Sequence, residues 1–259
     1  MIPAAVELVF ARPSIFFSMR IAVLSDIHGN LEALTEVLAD LDRQGVERTV
    51  SLGDNVGYGP ESEGVVRLLR RRDIPSVMGN HEWGLMDRAN LRWFNPTARA
   101  ALRRTEELLS EESLTYCRSL PVFMVEEECR FVHGCPPEDV LTYLFQLSEA
   151  ELRAVLSGLK ERVCFVGHTH ELLLVTMEGG ALSAKRLGPG VCGIKGEGAW
   201  LVNAGSVGQP RDKDNRAKYV IWDSDEWTLE ARFIEYDIGK TARAIKAVGI
   251  PGIYADRLW

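Results

Sequence analysis

Two aspartates and all five histidines of this chain stand where an apolar run gives way to a polar turn. The first case is Asp26-Ile27-His28-Gly29, which follows Ile21-Ala22-Val23-Leu24. Side chains two apart on extended backbone point to one side, roughly 6.6 Å apart along the strand, so Asp26 and His28 can face one point. The same alliance recurs in Gly53-Asp54, Gly79-Asn80-His81-Glu82, His133-Gly134 and Gly167-His168-Thr169-His170. A carboxylate beside imidazoles suits Zn, Mn, Fe or Ni better than Ca. With His81 left free, Asp26, His28, Asp54, Asn80, His133, His168 and His170 offer seven oxygen or nitrogen ligands. That exceeds the needs of one transition metal and suits two metals sharing a carboxylate.

The elements that must position these residues are legible from periodicity. Residues 21–24 read as a buried strand. Leu31, Leu34, Val37, Leu38 and Leu41 recur at helical spacing, and Gly45 stops that helix. Residues 46–52 make the next strand, and Pro60 opens a helix through about residue 72. Strand, helix, strand with ligand-type residues at both strand exits predicts a layered α/β fold with its site at the carboxyl ends of strands. Residues 76–78 predict a short strand. Residues 85–120 predict a helical insertion with starts at Asn95-Pro96 and at Ser110. Its arginines, Arg88, Arg92, Arg99, Arg103 and Arg104, read as surface charge offset by nearby glutamates rather than as a substrate clamp.

A hairpin is predicted from residues 122–125 and 130–132, then a helix near 148–159 and a strand at 163–166. Further strands are predicted at 172–177, 198–202, 219–222 and 227–234, a glycine-rich loop at 188–198, and a last helix at 238–248. Gly239-Lys240-Thr241 has the ending of a phosphate-binding loop, but Ile234 occupies the place of its first glycine, so that reading fails.

The 259 residues are 46% hydrophobic and 26% charged, an ordinary globular composition with enough apolar mass for a large core. A net charge of −7 disfavours a general grip on nucleic acid, which needs a basic face. The five cysteines are odd in number and form no Cys-x-x-Cys pair, which predicts a reduced, cytoplasmic setting. Residues 1–18 lack the basic start of a signal peptide and are too short and interrupted for a membrane span. They are expected to be a disordered extension, with Met19 as the natural start and residues 19–259 as one domain.

In their order along residues 20–236, Asp26-x-His28, Gly53-Asp54 with Gly57-Tyr58-Gly59, Gly79-Asn80-His81-Glu82, His133-Gly134 and Gly167-His168-Thr169-His170 resemble the calcineurin-like metallophosphoesterases. Asn203-Ala204-Gly205-Ser206-Val207-Gly208-Gln209-Pro210-Arg211 is similar to a further signature of the small bacterial and archaeal phosphodiesterase branch. Ala204 stands where proline is common there, and Cys135 where serine is common; Cys135 reads as a small packed residue.

The resemblance implies a four-layer α-β-β-α sandwich with two mixed β-sheets. It implies that Asp26, His28 and His170 hold one metal, that Asn80, His133 and His168 hold the other, and that Asp54 bridges them. His81 would face the substrate and donate to the leaving oxygen, and Asn203 or Arg211 would touch the phosphate. Two divalent transition metal ions, Mn, Ni, Fe or Zn, would activate a hydroxide against a phosphodiester or phosphomonoester, a small molecule such as a nucleotide. Within the same resemblance stand a dinucleoside polyphosphate hydrolase and a protein phosphatase. A nuclease is disfavoured by the acidic balance. A non-catalytic metal-binding scaffold such as the retromer subunit is expected to have replaced the histidine that this chain retains at His81.

Overall fold

The structure is a computed structural model that describes residues 19–194, 196 and 198–259. The extension expected at residues 1–18 lies outside the described residues. The chain opens with β1 (Arg20–Leu24), α1 (Leu31–Leu41), β2 (Arg48–Ser51) and α2 (Ser62–Arg71). A helical stretch follows: α3 (Asn80–Met86), a 3-10 turn (Arg88–Trp93), α4 (Pro96–Leu108) and α5 (Glu111–Ser119). Next come β3 (Phe123–Glu126), β4 (Cys129–Val132), a second 3-10 turn (Leu144–Gln146), α6 (Glu149–Gly158) and β5 (Val163–Val166). The chain continues with β6 (Leu172–Glu178), β7 (Ala181–Arg186), β8 (Gly190–Gly193) and β9 (Ala199–Ala204). It closes with β10 (Ala217–Asp223), β11 (Thr228–Ile234), α7 (Ile238–Ala247) and α8 (Ile253–Asp256).

The strands form two mixed sheets, ordered β2-β1-β10-β11-β8 and β3-β4-β5-β9-β6-β7. In the first, β1 and β2 are parallel and the other pairs antiparallel; in the second, β4-β5 and β5-β9 are parallel. The period-two alternation of strands decides the layering. Ile21 and Val23 of β1, with Val220 and Trp222 of β10, face Phe131, Phe165, Trp200 and Val202 of the other sheet. The alternate residues Ala22, Leu24, Tyr219 and Ile221 pack outward on α1 and α2. On the far side Val132, Cys164, Val166 and Leu201 meet Leu156 of α6. The result is the expected helix, sheet, sheet, helix order.

One buried polar group ties the outer layer to its sheet. Asp40 of α1 accepts from Arg232 Nη2 at 2.8 Å and Nε at 3.0 Å, and from the Tyr219 hydroxyl at 2.7 Å. Burial alone would raise the Asp40 carboxyl; these bonds outweigh it and hold it below its ordinary value.

The helical stretch starts as its capping residues dictate. Asn95 accepts from Ala98 N with Pro96 in the first turn, and Ser110 accepts from Ser113 N. Its apolar stripe, Leu85, Leu91, Leu102 and Leu114, closes on Val66 of α2. Two of its arginines are spent on the protein: Arg99 donates to the carbonyls of Leu91 and Phe94, and Arg104 to that of Val248. α7 and α8 pack on the other side of α4, through Ala101, Ala242, Ile245 and Tyr254.

Three expectations are corrected. The strand predicted at 76–78 is a single bridge, Ser51 with Ser76, because Gly79 turns the chain at once into α3. The loop predicted at 188–198 contains β8, which pairs with β11 from Gly193 opposite Thr228 to Gly190 opposite Ala231. β7, absent from the sequence reading, pairs with β6 as an exposed edge strand whose polar residues hide the alternation. Among the described residues no helix is long and apolar enough to cross a membrane.

Candidate metal centre

β1 and β2 in one sheet, and β4 and β5 in the other, end at the same edge of the sandwich, and their exits are cross-linked. Asp26 N donates to Gly53 O at 3.1 Å, His28 N to Asp54 O at 2.8 Å and Gly167 N to His133 O at 2.8 Å. Five candidate ligands turn on left-handed backbone: Asp26 (φ 52°), His28 (49°), Asp54 (50°), His168 (68°) and His170 (61°). That region is sparsely populated by residues with a Cβ and costs about 1–3 kcal/mol each. The cross-links hold it in place. Glu82 adds to them: its buried carboxylate accepts from the N–H groups of Asp54, Asn55 and Gly79 at 2.9, 2.8 and 3.0 Å. A Cβ on Gly79 would overlap the Asp54 carboxylate, so only glycine lets α3 start this close.

Four rings are oriented by backbone carbonyls. His170 Nδ1 lies 2.6 Å from Gln209 O, His133 Nδ1 2.9 Å from Leu52 O, His168 Nε2 3.1 Å from Leu141 O and His28 Nδ1 3.3 Å from Val56 O. A carbonyl only accepts, so each ring places its N–H there and turns its other nitrogen inward. Inward they meet further acceptors. His28 Nε2 is 3.1 Å from His170 Nε2; His133 Nε2 is 3.1 Å from both His168 Nδ1 and Asn80 Oδ1. His170 Nε2 is 3.1 Å from Asp26 Oδ1, an oxygen that is buried without a hydrogen bond. The other oxygen of Asp26 accepts from Ser25 Oγ at 2.6 Å and His168 N at 3.0 Å. Asp54 Oδ2 lies between the two groups, 3.7 Å from His28 Nε2 and 3.4 Å from His133 Nε2. Nitrogen and oxygen atoms converging in a buried space fit a cation between them.

The donor atoms fall into three sets, each within 4.8 Å: Asp26, His28 and His170; His28, Asp54 and His81; Asp54, His133 and His168. All seven residues read as ligands are thus brought together, with Asn80 joining through His133. His81 also comes within reach, its Nε2 4.0 Å from Asp54 Oδ2. Among the described residues it differs from the other four in having no carbonyl anchor, and its Nδ1 is buried with no partner.

Burial and neighbouring rings keep most of the cluster neutral. Burial, then the nearness of His81, holds His28 well below the usual imidazole range; burial, then His133, brings His168 to about 3. Burial brings His81 to about 4 against the pull of Asp54. His133 is the exception. Burial opposes its charge, but the Asp54 carboxylate prevails and raises it to about 9. A metal-free cluster therefore balances Asp54 with one proton on His133, which a divalent cation would displace. Burial, with Asp54 acting in the same direction, pushes the Glu82 carboxyl up to about 7.

The two weaker sequence candidates part company. Asn203 is fully buried, and its amide is occupied: Nδ2 donates to Gly167 O at 2.7 Å and Thr169 Oγ1 at 2.9 Å, and Oδ1 accepts from Gly205 N at 3.1 Å. It builds the turn behind His168. Arg211 stands at the rim with an exposed side chain, its backbone N–H on His170 O at 3.2 Å. Cys135 is packed and its thiol is pushed by burial up to about 11. Sequence reasoning assigned no role to Tyr143, which stacks on His168 with centroids 3.6 Å apart, or to Tyr58, 4.5 Å from His28 and 4.3 Å from His81. Tyr58 and Glu82 sit inside the quoted motifs, which was their only signal.

Comparison with known proteins agrees with this geometry. The family model described as the calcineurin-like phosphoesterase superfamily domain matches residues 19–226, which leaves α7 and α8 outside the match. An uncharacterised protein of Methanocaldococcus jannaschii is 35% identical over 245 residues, covering 92% of this chain and 97% of its own. A crystal structure of a metallophosphoesterase from Sphaerobacter thermophilus is similar with a TM-score of 0.81 at 36% identity, covering 93% of this chain and 98% of that one. A hypothetical protein from Pyrococcus horikoshii shares the fold, with a TM-score of 0.76 at 21% identity over 93% of this chain and 98% of its own. With its full set of clustered imidazoles and carboxylates, the chain belongs to the calcineurin-like phosphoesterase superfamily.

Proposed function

We propose that the chain is a dinuclear metal-dependent phosphoesterase that hydrolyses a phosphodiester. Asp26, His28 and His170 would hold one divalent ion, Asn80, His133 and His168 the other, and Asp54 would be shared between them. The observation that carries this reading is the Asp26 oxygen, buried without a hydrogen bond and turned toward two imidazole nitrogens. An all-oxygen-and-nitrogen donor set favours Mn, Fe, Ni or Zn. Two such ions would supply Lewis-acid polarisation of a phosphoryl oxygen and a nucleophilic water at neutral pH.

The residues of the chain do the rest. The carbonyl anchors fix the four rings before anything binds, so no reorganisation is needed on arrival. His81, kept neutral by burial, offers an N–H to the charge that develops on the leaving oxygen. Arg211 at the rim meets a non-reacting phosphate oxygen with its planar fork of donors. The substrate is a small phosphoester, nucleotides included, and the thiols suit a reducing compartment.

The test is metal-stripped protein given Mn, Fe, Ni, Zn or Mg singly and a panel of bis-nitrophenyl phosphate, nitrophenyl phosphate and cyclic and linear nucleotides. The diesters should turn over ahead of the monoester. No turnover of any ester with any metal would overturn the reading.

A further inference from the structure

Among the described residues, no hydrogen bond sets the orientation of the buried His81 ring. An imidazole turns about its last torsion in a broad, roughly two-fold well, so without an anchor its aim depends on its walls. Those walls are aromatic edges and one glycine. Tyr58 stands edge-to-face at 4.3 Å, His28 at 4.6 Å and Phe94 at 5.6 Å; a Cβ on Gly57 would overlap His81 Nδ1.

The nearest wall stands on strained backbone. Tyr58 lies between Gly57 and Gly59 with φ 61°, a left-handed conformation that a residue with a Cβ keeps only when its surroundings enforce it. Tyr254 enforces it. The two phenol rings stack at 4.1 Å and 19°, and Tyr254 is 1% exposed on α8, which is packed against Ile245 of α7 and Ala101 of α4. A continuous run of contacts therefore links the last helix to the one unanchored imidazole of the centre.

We propose that Tyr254 is a positioning residue that sets the orientation of the His81 ring through its stack on Tyr58. The structural link stands by itself, while its kinetic consequence rests on the phosphoesterase reading above. α8 lies outside the stretch matched to the family model.

The test has a structural and a kinetic arm on the full chain. The His81 ring resonance is identified in the metal-free protein by its disappearance in His81→Asn. In Tyr254→Ala it should shift or broaden more than that of any other histidine, and Tyr254→Phe should restore it. With metals added, Tyr254→Ala should keep its metal content and KM. It should lose about ten- to a hundredfold in kcat on a nucleoside 2′,3′-cyclic phosphate, whose leaving group is an alkoxide, and much less on bis-nitrophenyl phosphate. If Tyr254→Ala does not fold, Tyr254→Leu fills the volume without the aromatic face and takes its place. A His81 resonance that stays put in a folded variant would overturn the proposal, as would a Phe variant no better than Ala. A resonance that moves while no variant, His81→Asn included, shows a leaving-group effect would support the positioning link and sink the catalytic role of His81 instead.

Discussion

His170 Nε2 faces Asp26 Oδ1 at 3.1 Å with its own N–H committed on the far side to the Gln209 carbonyl. A cation between the two atoms would bond both. Metal-stripped protein should therefore gain stability on adding Mn or Zn. At a hundred times Kd the gain is about 2.7 kcal/mol, which is about 5–10 °C in Tm for a chain of this size. A Tm unmoved by every transition metal, read by differential scanning fluorimetry, would remove the metal centre.

The same addition should release protons. Asp54 raises His133 to about 9 in the metal-free cluster, so near pH 7.5 that ring is protonated and must deprotonate to bind. The release should fade as the pH rises through 9 and the ring is already neutral. Calorimetry in two buffers of different ionisation enthalpy measures it; equal heats in both at pH 7.5 would contradict it.

Asp54 is the residue whose oxygen lies between the two groups of rings. Asp54→Asn should weaken metal binding by about tenfold or more and lower the rate, because an amide oxygen is a poorer bridge than a carboxylate. Elemental analysis that finds two ions per chain in the mutant would count against bridging.

His81→Asn should separate a donor from a ligand. A donor to the leaving oxygen should cost about 10²–10³-fold in kcat where that oxygen is an alkoxide, far less where it is a nitrophenolate, and nothing in metal content. Loss of one ion instead would make His81 a ligand beside His28 and Asp54, the set its geometry also permits.

Away from the centre, Asp40→Asn should destabilise by about 1–3 kcal/mol, since it removes the charge that Arg232 and Tyr219 satisfy. The folded carboxyl titrates below the ordinary 3.8, so its contribution is complete above that value and drains away as pH falls through the lower folded one. Melting curves of both proteins should differ at neutral pH and converge in acid; a gap that widens in acid would contradict this.

The cluster of candidate ligands was legible because a strand exit beside glycine is a local pattern, and five histidines repeat it. The caps at Asn95 and Ser110 were legible for the same reason. What escaped is what depends on distance along the chain. Tyr254 lies 196 positions beyond the Tyr58 ring it supports, and nothing in either neighbourhood announces the contact. β8 reads as loop because Gly190-Val191-Cys192-Gly193 owes its extended form to the β11 edge. Asn203 sits in a motif shared with a catalytic family, yet its amide is consumed by the turn it builds.

The left-handed turns at the strand exits set durability against chemistry. Glycine would occupy His28's backbone without strain, a relief of up to about 1 kcal/mol once its greater freedom in the unfolded chain is deducted. Drift toward a hardier but idle protein is thus open at each such position, and imidazoles and carboxylates stand there against it. A thermostable variant sought by screening for melting temperature alone would erode this edge of the sandwich first, and selection for heat resistance in this chain has to be run with turnover in the same screen.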